Sequence, residues 1–339
     1  MKSKFNFLHL TIFLFVITAV QAQQLGEFKP KNDGFKSNKI GTINFEIYKE
    51  AVDEKKAVGF GRSIKNASKA KAAVGLASLD KEAIQAKADQ LYTEFIADFK
   101  NKGYELITSE EAGKTDTYKG WEKAVGPMLF ETDMTGIIAV VPTDYSYYYK
   151  DRNAFSSKLG GFDKTAQNLS SELDDALIAD VSLVYVFSSL GTDWNIGNQA
   201  KVKLFVDYRL ADTYTVTDEK TSAGLTSMFD KSKQAVGLSS YVNFTRGKLK
   251  IGGSPESQYL GSMKSDLEID GVMKKEKIAA YSTQTQATAT LLNPIVSIRG
   301  DNYSETTKWL QPDGGKYAEG IYLAGKKLLE YHTSEILGK

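Results

Sequence analysis

The sequence contains no cysteine, and that absence excludes several kinds of chemistry at once. Without thiolates there is no cysteine nucleophile, no iron–sulfur cluster and no zinc site with sulfur ligands. There is also no disulfide, so the hydrophobic core must supply the stability of the fold. Because bacterial lipid attachment needs a cysteine directly after the signal sequence, we expect no lipid anchor.

Histidine is nearly as scarce, since the chain has only two such residues, His9 and His332. Histidine–carboxylate zinc sites and Ser–His–Asp triads both need a histidine that neighbouring side chains hold in place. We interpret His332 as a surface residue of the last helix. The sequence therefore predicts a protein that is not an enzyme and that has no catalytic residue, no metal and no cofactor.

A surplus of charge is also missing, because 43 Lys and Arg residues stand against 42 Asp and Glu residues. Proteins that bind nucleic acid usually carry a clear positive surplus. We therefore expect no nucleic acid among the partners of this protein.

One long apolar run is present, and it lies at the amino terminus between Phe5 and Val20. Two lysines precede this run, and small residues at Val20 and Ala22 are typical of a signal-peptidase site. We therefore expect export to the periplasm or to the surface of a bacterium. The predicted organisation is a signal peptide over residues 1–22, a flexible lead-in over residues 23–40 and a single domain over residues 41–339, with a possible sub-boundary near residue 190.

Apolar residues recur every three or four positions in three segments, which predicts three helices. The first runs from Leu79 to Lys102 with Ser78 as its cap, the second covers residues 165–178, and the third covers residues 314–337. The predicted buried stripes are Ile84, Ala88, Leu91, Phe95 and Phe99 in the first helix, Leu169, Leu173 and Leu177 in the second, and Tyr317, Ile321, Ala324, Leu328 and Tyr331 in the third.

Alternation of apolar and polar residues predicts the strands. Residues 179–190 and 201–212 form the clearest hairpin, with Trp194 in its loop. We interpret residues 65–78 and 215–240 as loops, because they are polar or rich in small residues. The expected fold is α/β to α+β: a mixed sheet flanked by a few long helices, with a β-rich second half and a C-terminal helix.

The segment from residue 142 to residue 150 places four tyrosines within five positions. We predict one strand over residues 135–150, in which the first, third and fifth of these positions share a face. Tyrosine packs well on a sheet and is also common at binding surfaces, so a structural strand and an aromatic platform both stay open. On the second interpretation the candidate binding residues are Tyr145, Tyr147, Tyr149 and Trp194.

Three further patterns resemble functional motifs. Residues 108–115 approximate a phosphate-binding loop, but Thr108 replaces its first glycine and two glutamates would repel phosphate. Serine and lysine have the spacing of serine acyl enzymes at Ser68/Lys71 and Ser78/Lys81. Adjacent acids also occur at residues 110–111 and 174–175, although adjacency does not create the geometry of a glycosidase. A His-free hydrolase of cell-wall or polysaccharide material is therefore the alternative function.

One resemblance covers residues 56–190. It is carried by Ala57 to Phe60, by Gly103 to Leu106 after the first long helix, and by Ala179 to Val181. In this order the chain resembles the periplasmic α/β domain of Tol-system translocation proteins and of curli secretion-channel subunits, and it is otherwise similar to uncharacterised exported bacterial proteins. The resemblance implies a role in envelope assembly or as a scaffold, without an active site.

These observations predict an exported, non-enzymatic cell-envelope protein with a scaffold or binding role through a Tyr-rich surface. The expected partner is an envelope protein or a glycan. Self-assembly into a ring through the exposed hairpin, which would make the protein a homo-oligomer, is a further alternative.

Overall fold

The structure is a computed structural model, and it describes residues 39–50, 52–58, 69–76, 79–131, 137–149, 164–194, 200–218, 235–249, 255–281, 296–298 and 308–338. The helices are α1 (Lys81–Asn101), α2 (Ser109–Ala112), α3 (Thr165–Glu172) and α4 (Gly314–Leu337), with a 3-10 turn at Asp116–Tyr118. The strands are β1 (Lys39–Glu50), β2 (Val52–Val58), β3 (Lys69–Leu76), β4 (Glu105–Leu106), β5 (Glu122–Val125), β6 (Met128–Glu131), β7 (Ile137–Val141), β8 (Ser146–Tyr149), β9 (Leu177–Trp194), β10 (Ala200–Leu210), β11 (Thr213–Asp218), β12 (Ala235–Ser239), β13 (Tyr241–Leu249), β14 (Pro255–Ser262), β15 (Leu267–Glu268), β16 (Glu276–Tyr281), β17 (Val296–Ile298) and β18 (Lys308–Leu310).

The larger sheet contains β14, β13, β9, β1, β7 and β6 as neighbours in that order. β1 and β9 run parallel, whereas the other neighbours along this path run antiparallel. β9 continues through residue 190, near which the sequence suggests a sub-boundary. The first half of β9 pairs with β1 and β13, and its second half pairs with β10. The predicted mixed sheet, the β-rich second half and the C-terminal helix are therefore confirmed, and the fold is α+β.

Two smaller sheets complete the described part of the chain. One contains six strands in the order β12, β11, β17, β2, β3 and β18. The other is a ribbon of two antiparallel strands, β5 and β8, and it carries the tyrosine-rich segment.

Helices α1 and α4 bury their apolar stripes against the larger sheet. The ring of Phe95 in α1 stacks on Phe244 of β13, with centroids 6.4 Å apart. The hydroxyl of Tyr185 in β9 donates a hydrogen bond of 2.7 Å to the carbonyl of Ile321 in α4. A methyl group on Gly325 would lie 2.6 Å from the Tyr185 hydroxyl oxygen, so only glycine permits this close packing. The predicted stripes of both helices are buried, except that Tyr331 is half-buried.

The amino end of α1 differs from the prediction. The helix begins at Lys81, and its cap is Asp80, whose carboxylate accepts a hydrogen bond of 2.9 Å from the backbone N–H of Ala83. A carboxylate at this position satisfies an otherwise unpaired N–H and also interacts favourably with the positive end of the helix dipole. The predicted cap, Ser78, lies outside the described residues.

The carboxyl end of α3 is also earlier than predicted. The helix ends at Glu172 rather than at residue 178, because Asp174 and Asp175 adopt φ angles of 54° and 58°. Left-handed residues cannot continue a right-handed helix. The two acids therefore form a turn, and Leu177 already belongs to β9.

Both predicted loops contain strands. Within residues 65–78, β3 pairs antiparallel with β2 along its length, and within residues 215–240, β11 pairs with β12. Alanine, lysine and glycine favour strands weakly, so the local sequence does not indicate β3. Pairing with distant segments forms these strands, and the same applies to β14, which the alternation pattern does not predict.

Candidate aromatic binding surface

The tyrosine-rich segment forms two strands rather than one. β7 belongs to the larger sheet, whereas β8 pairs with β5 in the separate ribbon. Between them, Pro142 cannot donate a backbone hydrogen bond, and Asp144 has a left-handed φ of 59°. The chain therefore turns after Val141, and the predicted single strand over residues 135–150 is wrong.

The turn between β7 and β8 is bound to helix α1. The carboxylate of Asp89 accepts two hydrogen bonds from Thr143, at 2.8 Å from the backbone N–H and at 2.7 Å from the hydroxyl. Gln85, one helical turn earlier, donates to Asp89 and to the carbonyl of Val141. This network fixes the point from which the ribbon leaves the core.

Tyr145 is not part of any exposed surface. Its side chain is 2% exposed and belongs to the main hydrophobic core. Its ring packs edge-on against Tyr92 of α1, with centroids 5.6 Å apart. Because Tyr145 lies in the turn before β8, its side chain points into the core, and its prediction as a contact residue is wrong.

Tyr147 and Tyr149, which we call the tyrosine pair, lie on one face of the ribbon. Their rings are stacked with centroids 6.1 Å apart and an interplanar angle of 19°. Tyr149 is 37% exposed, whereas Tyr147 is half-buried and packs against the main hydrophobic core. Directly opposite on β5, Ala124 faces Tyr147 and the exposed Glu122 faces Tyr149. In this register a small side chain lies opposite Tyr147, and an acidic residue lies opposite Tyr149.

The other face of the ribbon is structural. Tyr148 stacks on Tyr118, with centroids 4.5 Å apart, in a second hydrophobic cluster. A side chain at Gly113 would collide with the Tyr148 ring. The backbone N–H of Ser146 donates a hydrogen bond of 2.8 Å to the hydroxyl of Ser109 in α2. Of the four tyrosines, Tyr145 is buried, Tyr147 and Tyr148 are half-buried and packed against the two hydrophobic clusters, and Tyr149 is exposed.

Trp194 does not lie in the loop that was predicted for it. It is the last residue of β9 and pairs with Ala200 at the start of β10. Its side chain falls outside the described part of the structure. No described contact joins Trp194 to the tyrosine pair.

His332 is fully buried, so its prediction as a surface residue is wrong. Its Nδ1 atom lies 2.6 Å from the hydroxyl of Tyr259 in β14, and the ring of Tyr331 packs edge-on against it. Burial lowers the pKa of His332 to about 4, so the imidazole is neutral at pH 7. Position 332 follows Leu328 by four residues, and this helical spacing is the signal that indicated burial.

The acidic and lysine-containing motifs form no reactive group in the described chain. Glu111 accepts a hydrogen bond of 2.8 Å from the backbone N–H of Thr108, and this bond lowers the Glu111 pKa. Residues 108–111 therefore form a capping box at the start of α2 rather than an anion-binding loop. Lys81 is exposed, and both candidate serines lie outside the described residues. Within the described ranges no three His, Asp or Glu side chains are grouped to hold a metal ion.

A groove of about 230 Å³ lies between α1 and α4. At its edge, Glu94 accepts hydrogen bonds from Lys326 at 2.8 Å and from the Tyr322 hydroxyl at 2.9 Å. Partial burial favours a higher pKa for Glu94, but these hydrogen bonds together with one from Gln90 keep the pKa below its usual value. The polar groups of the groove bind one another and join the two helices.

No protein-family model, no curated protein and no solved structure matches this chain. The resemblance to Tol-system and curli envelope domains therefore stays a prediction. Among the helices in the described ranges, none is long and apolar enough to cross a membrane.

Proposed function

We propose that this chain is an exported cell-envelope protein that binds a glycan, without catalysis, through the tyrosine pair and Glu122. The observation that carries the proposal is the stacked pair of rings on an anchored ribbon, in which Tyr149 is exposed and Tyr147 is half-buried. The signal-like residues 1–22 support export, and the burial of His332 leaves no imidazole available for reaction among the described residues.

Anchoring of the ribbon favours binding because it holds the rings in place before a ligand arrives. Tyr145 fills the main core on one side, Tyr148 fills the second cluster on the other, and Asp89 holds the turn. Side chains that are already ordered lose less entropy when a ligand binds, so more of the contact energy appears as affinity.

The size of the surface favours a glycan over a protein. A stable protein interface buries about 800 Å² on each partner, with 20 to 30 residues a side. In the described ribbon Tyr149 is exposed and Tyr147 and Tyr148 are half-buried, and of these Tyr147 and Tyr149 share a face. One or two sugar rings match this area, since their apolar faces can lie against the phenol rings while the Glu122 carboxylate accepts hydrogen bonds from hydroxyl groups.

Co-sedimentation with insoluble peptidoglycan and with a panel of insoluble polysaccharides tests the proposal. We expect the purified protein to sediment with at least one of these polymers, and we expect the double variant Tyr147→Ser/Tyr149→Ser to bind at least about tenfold more weakly. Val125→Ser is the matched control, because Val125 is 50% exposed on the opposite face of the same ribbon.

Thermal unfolding of each variant distinguishes loss of contact from loss of fold. The double variant should keep a cooperative transition, at a lower temperature than the parent protein, because Tyr147 also packs against the main core. The single variant Tyr149→Ser removes only the exposed ring, so it should unfold near the parent protein and still bind more weakly. Binding of every polymer by the double variant at the parent level would overturn the proposal. Binding to purified envelope proteins but to no polymer would assign the surface to a protein partner instead.

A further inference from the structure

Strand β14 is the last strand at one edge of the larger sheet. Among the described residues it pairs with β13 alone. An edge strand presents a row of backbone N–H and C=O groups that a further strand can bind. The opposite edge, β6, has four residues and ends in Glu131, whereas β14 has eight residues.

The last six residues of β14, after Pro255 and Glu256 at its start, lack the features that usually protect an edge. Residues 257–262 read Ser-Gln-Tyr-Leu-Gly-Ser and carry no charge. Their register with β13 is regular, from Arg246 opposite Ser257 to Tyr241 opposite Ser262. Lysine, proline or a bulge at such a position would hinder further pairing. Instead Leu260, at the centre, is a large apolar side chain that is 38% exposed.

We propose that two copies of this chain associate through β14 in an antiparallel register centred on Leu260. In this register Leu260 faces Leu260 of the second copy, Gln258 faces Ser262, and Tyr259 faces Gly261. The exposed leucines cover one another at the two-fold axis, and the large Tyr259 ring lies opposite a residue without a side chain. No charges of like sign meet within residues 257–262, so the edge is complementary to itself.

This surface differs from the hairpin that the sequence indicated for self-assembly. In the hairpin, β10 already pairs with β9 on one side and with β16 on the other. β14 has one neighbour in the described sheet, so pairing there extends the sheet without displacing any strand that the structure describes. Strand pairing alone buries less area than a permanent interface, so we expect dissociation in the micromolar range.

Cysteine crosslinking tests the register, because the chain has no cysteine of its own. Opposed Cα atoms in an antiparallel pair lie about 4.5 or 5.5 Å apart, within the range of about 4.4–6.8 Å that a disulfide spans. Under mild oxidation we expect Leu260→Cys to form a covalent dimer and Gln258→Cys to form none. A mixture of Gln258→Cys with Ser262→Cys should crosslink again, because those two positions face each other.

Sedimentation of the purified protein across the micromolar range tests the association itself. The parent protein should show a concentration-dependent dimer, and Leu260→Lys should be monomeric, because two ammonium groups would meet at the two-fold axis. Val125→Lys, at an exposed apolar residue of the ribbon, should remain a dimer.

Three outcomes would overturn this proposal: a parent protein that is monomeric throughout, a Leu260→Lys variant that still dimerises, or crosslinking of Gln258→Cys as fast as that of Leu260→Cys. A monomer that instead captures a separate extended peptide at β14 would also overturn it. Each variant is checked by thermal unfolding, so that a misfolded protein is not counted as a monomer. Glycan binding is measured separately at the tyrosine pair, so either proposal can fail alone.

Discussion

Acid should destabilise this protein through His332, a residue of α4 whose side chain contacts Tyr259 of β14. Protonation would place a positive charge in a fully buried site beside the rings of Tyr259 and Tyr331. Burial disfavours the charged imidazole, and this holds the His332 pKa at about 4 in the folded protein. In the unfolded chain the imidazole is in water and titrates near about 6.5.

The sign follows from the protons that each state binds. Between pH 6.5 and pH 4 the unfolded chain takes up a proton that the folded protein does not bind, so the free energy of unfolding falls as the pH falls. Above about pH 6.5 the imidazole of His332 is neutral in both states, so this loss of stability is absent. From pH 7 to pH 5 the expected loss is about 2 kcal/mol.

Urea unfolding at pH 7 and pH 5 measures this effect, with His332→Gln as the matched variant. Glutamine stays neutral and can still accept a hydrogen bond from the Tyr259 hydroxyl. The variant should be less stable at pH 7, but its loss of stability on acidification should be smaller than that of the parent by about 2 kcal/mol. Equal pH slopes in the two proteins, or an imidazole NMR resonance that titrates near pH 6.5, would refute the reasoning.

Two further substitutions test the contacts that position the ribbon and the last helix. Asp89→Ala removes the acceptor of both Thr143 hydrogen bonds and should lower the free energy of unfolding by about 1–3 kcal/mol, measured with urea. Amide exchange in residues 142–145 should become faster. Unchanged exchange there would contradict the anchoring role. Gly325→Ala forces a methyl group against the Tyr185 hydroxyl and should lower the free energy of unfolding by about 1–3 kcal/mol. Gly315→Ala, near the exposed start of α4, should raise that free energy slightly. Equal effects of the two changes would argue against close packing of α4.

The helices could be predicted from the sequence because their signals are local. α4 covers the predicted residues 314–337, since its apolar stripe from Tyr317 to Tyr331 repeats over about four turns and Asp313 supplies a cap. The end of α3 was harder to predict, because two aspartates in left-handed conformation end it where the apolar spacing continues. The same spacing rule, applied one step beyond Leu328, indicates that His332 is buried.

The strands of the six-stranded sheet depend on partners far along the chain. β3 is rich in alanine and lysine, and it forms because β2 and β18 pair with it on either side. Local composition contains no information about such partners.

The candidate site was predictable in part. Strand alternation placed Tyr147 and Tyr149 on one face, and the structure shows them stacked there. It also assigned Tyr145 to that face, although Pro142 signals a break in the strand and the turn directs Tyr145 into the core. The position of Glu122 opposite Tyr149 could not be found from the sequence, because it depends on the pairing of β5 with β8.

The claim that this protein binds a glycan without cleaving it is tested most directly by incubating the purified protein with the polymer that it binds. The soluble products are then identified by mass spectrometry. We predict retention of the protein on the polymer, loss of that retention in Tyr147→Ser/Tyr149→Ser, and no fragment beyond those in a protein-free control. Soluble fragments that accumulate with the parent protein and with the double variant alike would contradict both the binding surface and the absence of catalysis.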